Sequence, residues 1–172
     1  SRGLGDVYKR QIQAAHYLLR QTPDLKRLLV LTGPQHSRIT VERLKGLREV
    51  LAEHPHVQVE VQAGDYTLMP SYLHTLDYLA EHSAPDAIMG FNQLITLGAL
   101  RALRMHNIAH DSLTICGIDR LPFADIFGVP IACVAHDASL AGSSAVRLLL
   151  DRLQDPYKPR DKVVIAGVLE NG

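Results

Sequence analysis

One stretch of the sequence, Asp86–Asp119, limits the fold of the whole chain. Its first apolar run, Asp86–Phe91, has the length and composition of a buried strand. Asn92 is a good N-cap for the segment that follows, which we expect to be a helix with one buried face formed by Leu94, Leu97, Leu100 and Leu103. A second apolar run, Leu113–Gly117, then leads into a polar turn. Strand, helix and strand at this spacing predict a βαβ unit with parallel strands and a right-handed crossover.

Helix and strand signals alternate along the rest of the chain as well. We predict further strands at Arg27–Thr32, Val57–Ala63, Ile131–Ala135 and Val163–Val168. We predict further helices at Gln13–Gln21, Arg38–Glu53, Tyr72–Glu81 and Asp137–Leu153. The buried stripe of the Arg38–Glu53 helix is expected to be Val41, Leu44, Leu47 and Leu51. This order of elements predicts the α/β class, with a mostly parallel, doubly wound sheet.

The two ends of the predicted domain need separate comment. Residues 1–11 (SRGLGDVYKRQ) do not share the sequence pattern of the rest of the chain. We expect them to be a non-native segment (a scar) or a disordered terminus outside the fold. Residues 12–172 are expected to form one domain, because the chain has 172 residues and cannot hold two full-sized ones. That domain opens on a helix with no strand before it, so we expect it to be the later part of a longer protein.

Composition excludes several classes of function. Lys plus Arg and Asp plus Glu both number 18, so no basic surface for nucleic acid is expected on this chain. The sequence has no charge run typical of a membrane-binding patch and no apolar run long enough to span a bilayer. Cys116 and Cys133 lie in apolar runs, where we expect small buried side chains, as in a protein of a reducing compartment.

Polar side chains follow the carboxyl ends of the predicted strands, where open α/β sheets bind ligands. In chain order they are Gln35, His36, Ser37 and Arg43; Asp65 and Tyr66; Asn92 and Gln93; Asp119 and Arg120; and His136 and Asp137. Carboxylate, amide and guanidinium groups hydrogen-bond hydroxyls and anions, and an aromatic face supports the apolar side of a sugar ring. The set therefore predicts a binding site for a polyhydroxylated ligand.

Structural roles compete with binding at several of these positions. Asn92 and Asp137 could serve only as helix caps, and Arg43 could be a solvated or ion-paired structural residue. His54 and His56 flank a turn proline without a third ligand nearby, so we expect no metal site and no cofactor. Motifs for nucleotide binding, zinc proteolysis and serine hydrolysis are absent from the sequence, and we do not expect an enzyme.

Five segments, taken together, resemble the effector domain of the LacI/GalR family of transcriptional regulators. In order they are TGPQHSRITVERLKGLREVL, GDYTLMPSY, GFNQLITLGALRAL, LTICGIDRLPFA and PIACVAHD. The resemblance extends over essentially all of Gln13–Gly172. It implies a periplasmic-binding-protein-like (type I) subdomain, truncated at its N-terminus, with a returning helix at 137–153 and a final strand at 163–168. It also implies that a DNA-binding helix-turn-helix and most of a first subdomain lie outside this chain.

The resemblance assigns ligand roles by position. Arg43 matches the family's effector-binding arginine, and Tyr66 matches an aromatic residue that packs on the ligand. Asn92 and Asp119 match a hydrogen-bonding amide and carboxylate, and His136 matches a polar contact near the hinge. Ser37 completes the predicted ligand-binding set at the end of the first strand.

Departures from the family pattern bear on the ligand's identity. Gln93 and Arg120 replace acidic residues, and Ile39 replaces a small polar one. These changes make the site less acidic, which leaves room for a sugar phosphate as well as a sugar. The apolar loop Leu121–Val129 corresponds to part of the family's dimer surface, although it could instead pack on its own core.

The resemblance implies the sensing region of a sugar-responsive repressor. Its expected partners are a small-molecule effector (a sugar, a sugar phosphate or a related metabolite), operator DNA through the absent helix-turn-helix, and a second copy in a homodimer. Its expected location is the cytoplasm, without membrane association. The alternative is a periplasmic sugar-binding protein of an ABC transporter, which shares the fold but has a signal peptide in place of the DNA-binding head.

Overall fold

The computed structural model describes residues 2–108, 113–118, 131–135, 162–165 and 168–171. Within these ranges the helices are α1 (Arg2–Gln21), α2 (Arg38–Leu51), α3 (Leu68–Glu81) and α4 (Gln93–Met105). The strands are β1 (Arg27–Thr32), β2 (Gln58–Ala63), β3 (Ala87–Gly90), β4 (Thr114–Ile118), β5 (Ile131–Ala135), β6 (Lys162–Ile165) and β7 (Val168–Asn171).

These strands form a single sheet in the order β2-β1-β3-β4-β5-β6-β7. All neighbouring pairs are parallel except β6 and β7, which are antiparallel. The strand order reverses after β1, where the chain goes first to β2 and then back past β1 to β3. With right-handed crossovers this reversal places α2 and α3 on opposite faces. The predicted α/β class with a mostly parallel, doubly wound sheet is confirmed, as is the βαβ unit of β3, α4 and β4.

The core lies between the sheet and two pairs of helices. Helix α1 packs beside α2, and α3 packs beside α4. The central strands are apolar and buried on both faces, as expected for parallel strands covered by helices. Strand β2 lies at an edge of the sheet, and its side chains are only half-buried or exposed.

A hydrogen-bonded cluster holds the amino ends of the strands, and we call it the amino-edge clamp. It consists of Arg27, Tyr78, Ser83, Ala84 and Asp86. The Arg27 guanidinium donates to the carbonyl oxygens of Ser83 (3.1 Å) and Ala84 (2.6 Å) and to the Tyr78 hydroxyl (3.3 Å). The Asp86 carboxylate accepts from two successive backbone amides, those of Lys26 and Arg27, each at 2.9 Å. The clamp therefore ties the start of β1 to the end of α3 and the start of β3.

Two predicted buried stripes are partly wrong. Leu94 is 44% exposed and Val41 is 51% exposed, whereas Leu103 and Leu47 are buried. A helix turns about 100° per residue, so leucines spaced every three residues drift about 60° per step around the axis. Leu94 and Leu103 therefore lie on opposite sides of α4, and Ile95 and Ala99 occupy the buried face in place of Leu94.

Several predicted element boundaries also differ from those observed. The single strand predicted at Val163–Val168 is two strands, β6 and β7, paired antiparallel on either side of Ala166 and Gly167. Helix α3 begins at Leu68, earlier than predicted, so that Pro70 is its third residue. A proline is tolerated there because the first-turn amides have no partner inside the helix.

Residues 2–11, which we expected outside the fold, form the first half of α1. Val7 and Gln11 are buried, and Tyr8 packs against α2 by donating a hydrogen bond to Glu49. The expectation of a disordered terminus is therefore wrong for residues 2–11. The buried Gln11 side-chain amide makes no hydrogen bond within the described part of the chain. A non-native origin of this segment stays a prediction.

Some predicted features lie outside the described residues. These are the helix 137–153, the apolar loop 121–129, Asp119, Arg120, His136 and Asp137. Cys116 is a small buried side chain in β4, as predicted, while the side chain of Cys133 lies outside those described.

No helix among the described residues has the length and apolar content needed to cross a bilayer. The same residues contain no group of three or more metal-ligating side chains.

Candidate functional site

The carboxyl ends of β1, β2 and β3 bring four of the predicted ligand-binding residues to one edge of the sheet. The three chain segments stay aligned beyond the ends of the strands. The backbone amide of Gly64 donates to the carbonyl of Thr32 (3.1 Å), and that of Phe91 donates to the carbonyl of Leu31 (3.0 Å). The residues that follow these strands therefore start from the same level. We call Gly33, Ser37, Arg43, Tyr66 and Asn92 the carboxyl-edge cluster.

Asn92 has two roles in this cluster. Its backbone is extended (φ −154°, ψ −179°), and its side-chain oxygen accepts a hydrogen bond from the amide of Ile95 at 2.8 Å. It is therefore the N-cap of α4, as predicted. Its side-chain amide also donates to the carbonyl oxygen of Tyr66 at 3.3 Å, which joins the ends of β2 and β3. Capping alone does not account for this residue.

Arg43 is a buried cation on the inner side of α2, with 7% of its surface exposed. Its guanidinium donates a hydrogen bond to the carbonyl oxygen of Phe91, the residue before Asn92. The solvated surface role considered for Arg43 is therefore excluded. Its neighbour one turn on, Gly46, is buried and lies close to the backbone of α1, so α1 and α2 approach each other beside it.

Tyr66 lies between the other members of the cluster. Its hydroxyl pairs with the Ser37 hydroxyl, and its ring lies against the backbone of Gly33. Ser37 occupies the N-cap position of α2, but its side chain makes no capping hydrogen bond. Sequence reasoning missed Gly33, whose only signal is its place in the turn-forming sequence GPQHS after β1.

A short turn around Tyr66 is fixed by the side chain of Asp65. Its carboxylate accepts from the Thr67 hydroxyl and from the Thr67 amide, the latter at 2.7 Å. These bonds favour the charged form, so the Thr67 hydroxyl first, and its amide second, lower the pKa of Asp65 below its ordinary value. Asp65 therefore acts as a turn-forming residue in this structure.

The lowered pKa of Asp65 predicts a specific pH dependence. A carboxyl whose pKa is lower in the folded state contributes stability above its unfolded pKa and loses it as pH falls through the folded pKa. We therefore expect the melting temperature of the unsubstituted chain to exceed that of Asp65→Asn at about pH 6, and this difference to shrink at about pH 3. Thermal unfolding of both proteins at the two pH values measures it. An equal difference at both would contradict this assignment.

The other predicted positions contribute less to the cluster. Gln35 and His36 are exposed in the turn after β1, and Gln93 is half-buried at the start of α4. Asp119 and His136 lie outside the described residues, so their ligand-binding roles stay predictions. The described site thus contains a buried guanidinium, a restrained aromatic ring and a side-chain amide, a set suited to a ligand with hydroxyls and an apolar face.

Comparison with protein families and curated proteins bears on this arrangement. A family model described as the periplasmic binding protein-like domain matches residues 17–171. The HTH-type transcriptional regulator CelR of Thermobifida fusca is 30% identical over 131 residues, 74% of this chain and 38% of that protein. The lactose operon repressor of Escherichia coli is 25% identical over 130 residues, 75% of this chain and 36% of that protein. The chain thus spans less than half the length of these relatives.

Solved structures with the same fold include regulators and transport proteins. A LacI-family putative repressor from Corynebacterium glutamicum superposes with a TM-score of 0.71 at 21% identity, covering 97% of this chain and 64% of that one. A dimeric lac repressor gives 0.67 at 21% identity, covering 95% and 59%. The periplasmic component of the arabinose ABC transporter of Shewanella sp. ANA-3, bound to L-arabinofuranose, gives 0.69 at 17% identity, covering 96% and 56%. At these identities the superpositions establish the fold.

Proposed function

Because the chain belongs to the periplasmic binding protein-like domain family, we propose that it is the effector-sensing and dimerisation region of a DNA-binding transcriptional regulator, a sugar-responsive repressor of the LacI type. The observation that carries this proposal is the carboxyl-edge cluster. There the Arg43 guanidinium on α2 bonds the carbonyl of Phe91, the Asn92 amide bonds the carbonyl of Tyr66, and the Tyr66 hydroxyl bonds Ser37, so one network connects the ends of β1, β2 and β3.

The cluster supports recognition of a sugar, a sugar phosphate or a related metabolite. The buried Arg43 guanidinium suits a hydroxyl or phosphate oxygen, and Tyr66 suits the apolar face of a saturated ring. Because these groups are suited to holding a ligand, we assign sensing rather than catalysis.

In the proposed mechanism the effector contacts the carboxyl-edge cluster on one side and a preceding subdomain on the other. An effector that makes better contacts in the closed arrangement shifts the population toward it. That shift changes the relative position of two DNA-binding heads in a homodimer, which couples effector binding to operator affinity. The regulator then acts in the cytoplasm.

An electrophoretic mobility-shift assay on the complete regulator tests the proposal. The DNA is the intergenic region next to its own coding sequence, and the sugars are D-ribose, L-arabinose, D-fructose, lactose and glucose 6-phosphate. We expect a specific shift that at least one sugar changes. Failure to bind DNA, together with a signal peptide at the N-terminus, would favour the transport protein instead.

The second candidate function is that of a periplasmic sugar-binding protein in a transporter. The fold shared with the periplasmic component of the arabinose ABC transporter supports it. The coding sequence immediately upstream discriminates the two candidates, because a helix-turn-helix and a signal peptide have different lengths and compositions.

Dimerisation is supported by a set of exposed apolar side chains on the paired helices α3 and α4. Met69 is 49% exposed, Leu73 50% and Leu94 44%. Met69 and Leu73 lie one turn apart on the same side of α3, and exposed apolar residues placed in this way are typical of a surface that another protein covers. We therefore propose that this face and the loop 121–129 take part in the homodimer.

Replacing Leu73 with aspartate is expected to shift the complete regulator from dimer to monomer. A charge placed in an apolar interface loses its hydration without gaining a partner. Light scattering coupled to size-exclusion chromatography measures the mass. Val41→Asp is the matched control, because Val41 is equally exposed (51%) but lies on α2. Dissociation by both variants, or by neither, would argue against this face.

A further inference from the structure

We propose that Ser37 and Gly33 are positioning residues for Tyr66. Together they hold its ring flat against the end of β1, so that the opposite face of the ring is a fixed contact surface for the ligand. This inference rests on the proposed function, in which Tyr66 touches a sugar-like ligand. It changes the role predicted for Ser37, from a ligand contact to a residue that acts through Tyr66.

The contact between Tyr66 and Gly33 leaves no room for a side chain on the glycine. A Cβ atom built on Gly33 would lie 2.3 Å from Cε1 of Tyr66 and 2.8 Å from both Cδ1 and Cζ. These separations are far below van der Waals contact, so any other residue would push the ring away. The absence of a side chain at position 33 therefore determines where the ring lies.

The hydroxyl of Ser37 holds the far end of the same ring. Ser37 has the extended backbone of an N-cap residue (φ −63°, ψ 134°), and serine there usually caps its own helix. Here its side chain makes no capping bond and pairs with the Tyr66 hydroxyl. A hydroxyl that would ordinarily stabilise α2 is used to restrain a side chain of the neighbouring strand end.

The backbone of Tyr66 is restrained independently of its ring. Asp65 and Thr67 form the turn on either side of it, and Asn92 donates to its carbonyl oxygen at 3.3 Å. Groups from the ends of β1, β2 and β3 thus fix both the main chain and the ring. Restraint of this kind lowers the ordering cost of binding, because the side chain has lost its freedom before the ligand arrives.

The restraint also limits what Tyr66 can offer a ligand. Its hydroxyl already bonds Ser37, so the part of Tyr66 that this arrangement leaves for an apolar contact is the ring face. A face favours a pyranose or furanose ring presenting its C–H groups, while hydroxyls or a phosphate meet Arg43.

Fluorine NMR of the full chain labelled with 3-fluorotyrosine tests the restraint directly. Tyr66→Phe assigns the Tyr66 signal by its loss. A ring held in place gives two signals from its two flip states, and a free ring gives one averaged signal. We expect two signals in the unsubstituted chain and in Ser37→Thr, which keeps the hydroxyl. We expect displaced Tyr66 signals in Ser37→Ala, because the fluorine lies beside the hydroxyl that loses its partner, and in Gly33→Ala, because the new methyl group pushes the ring away.

Controls separate this effect from a general loss of structure. Gly5→Ala has the same change of residue but nothing within 4 Å of the new Cβ, and it should leave the Tyr66 signal unchanged. The other tyrosine signals report whether each variant is folded, and if Gly33→Ala does not fold, Ser37→Ala and Ser37→Thr still decide. A Tyr66 signal that is the same in Ser37→Ala as in the unsubstituted chain would overturn the inference.

Ligand binding gives the second readout, in the complete regulator, with the sugar that changes the DNA shift most. We expect Ser37→Ala to weaken its binding about 2- to 10-fold, Ser37→Thr to restore it, and Ser37→Ala to add nothing in a Tyr66→Phe background. Additive losses from the two substitutions would contradict the positioning role. If no sugar binds, the proposed function fails. The NMR experiment needs no ligand, so it still decides whether Ser37 and Gly33 restrain Tyr66.

Discussion

Replacing Gly98 with alanine is expected to lower the free energy of unfolding of the chain by about 2–3 kcal/mol. A Cβ atom at this position would lie 2.0 Å from the Ser71 hydroxyl oxygen, 2.4 Å from the Leu68 carbonyl oxygen and 2.9 Å from the Tyr72 amide nitrogen. Two of these atoms belong to the backbone of α3, so the helices α3 and α4 must separate to admit the methyl group. The Ser71 hydroxyl, which donates to the Ile95 carbonyl at 2.8 Å, would also be displaced.

Urea unfolding followed by far-ultraviolet circular dichroism measures the change. Alanine has the higher helix propensity, by about 1 kcal/mol at an unstrained position, so the packing penalty must exceed this gain to appear. Gly5→Ala measures the gain in helix propensity without a packing penalty, because nothing lies within 4 Å of its new Cβ. We expect no loss of stability in the control. Equal unfolding midpoints for the two variants would show that α3 and α4 are not as closely packed as the structure has them.

Replacing Arg43 with alanine in the complete regulator is expected to weaken effector binding about 10- to 100-fold, or about 1.4–2.7 kcal/mol. The reason is that Arg43 is the buried cation of the carboxyl-edge cluster and donates to the carbonyl of Phe91, next to Asn92. Its loss removes a charged hydrogen-bond donor and leaves that carbonyl without this partner. Titration calorimetry with the sugar that most changes the DNA shift measures the affinity.

Two further variants distinguish binding from structure. Arg48→Ala removes a cation of the same helix whose side chain is exposed, and it should bind the sugar normally. Arg43→Lys keeps the charge but loses the planar guanidinium, so we expect an intermediate affinity. An unchanged affinity in Arg43→Ala would refute the assignment of this residue to the effector site.

The strands were the most predictable part of the fold. Strands β1 and β5 have the predicted ends, because short apolar runs between turn residues leave little choice of boundary. The buried faces of α2 and α4 were less predictable. A count of apolar residues every third position does not follow the helical repeat, and Val41 and Leu94 were misplaced for that reason. The division into two antiparallel strands, β6 and β7, was missed, although a glycine within an apolar run, here Gly167, is a sequence signal for a turn.

The site was predictable in its composition but not in its connections. Position after a parallel strand was enough to bring Ser37, Tyr66 and Asn92 to one edge of the sheet. It was not enough to show that Ser37 pairs with Tyr66 instead of capping α2, because both uses need the same residue at the same place. The role of Gly33 depends on a contact with a ring 33 residues away in the sequence, and no local pattern encodes it.

The amino-edge clamp has a consequence for how such proteins diversify. Arg27 and Asp86 fasten the sheet at one end, while every residue of the carboxyl-edge cluster lies beyond the other end of strands roughly 20 Å long. Substitutions at that separation usually have independent effects on stability. Mutations that change which metabolite is bound can thus accumulate at the carboxyl edge of the sheet without destabilising the amino-edge clamp. One fold can therefore serve receptors for many different small molecules.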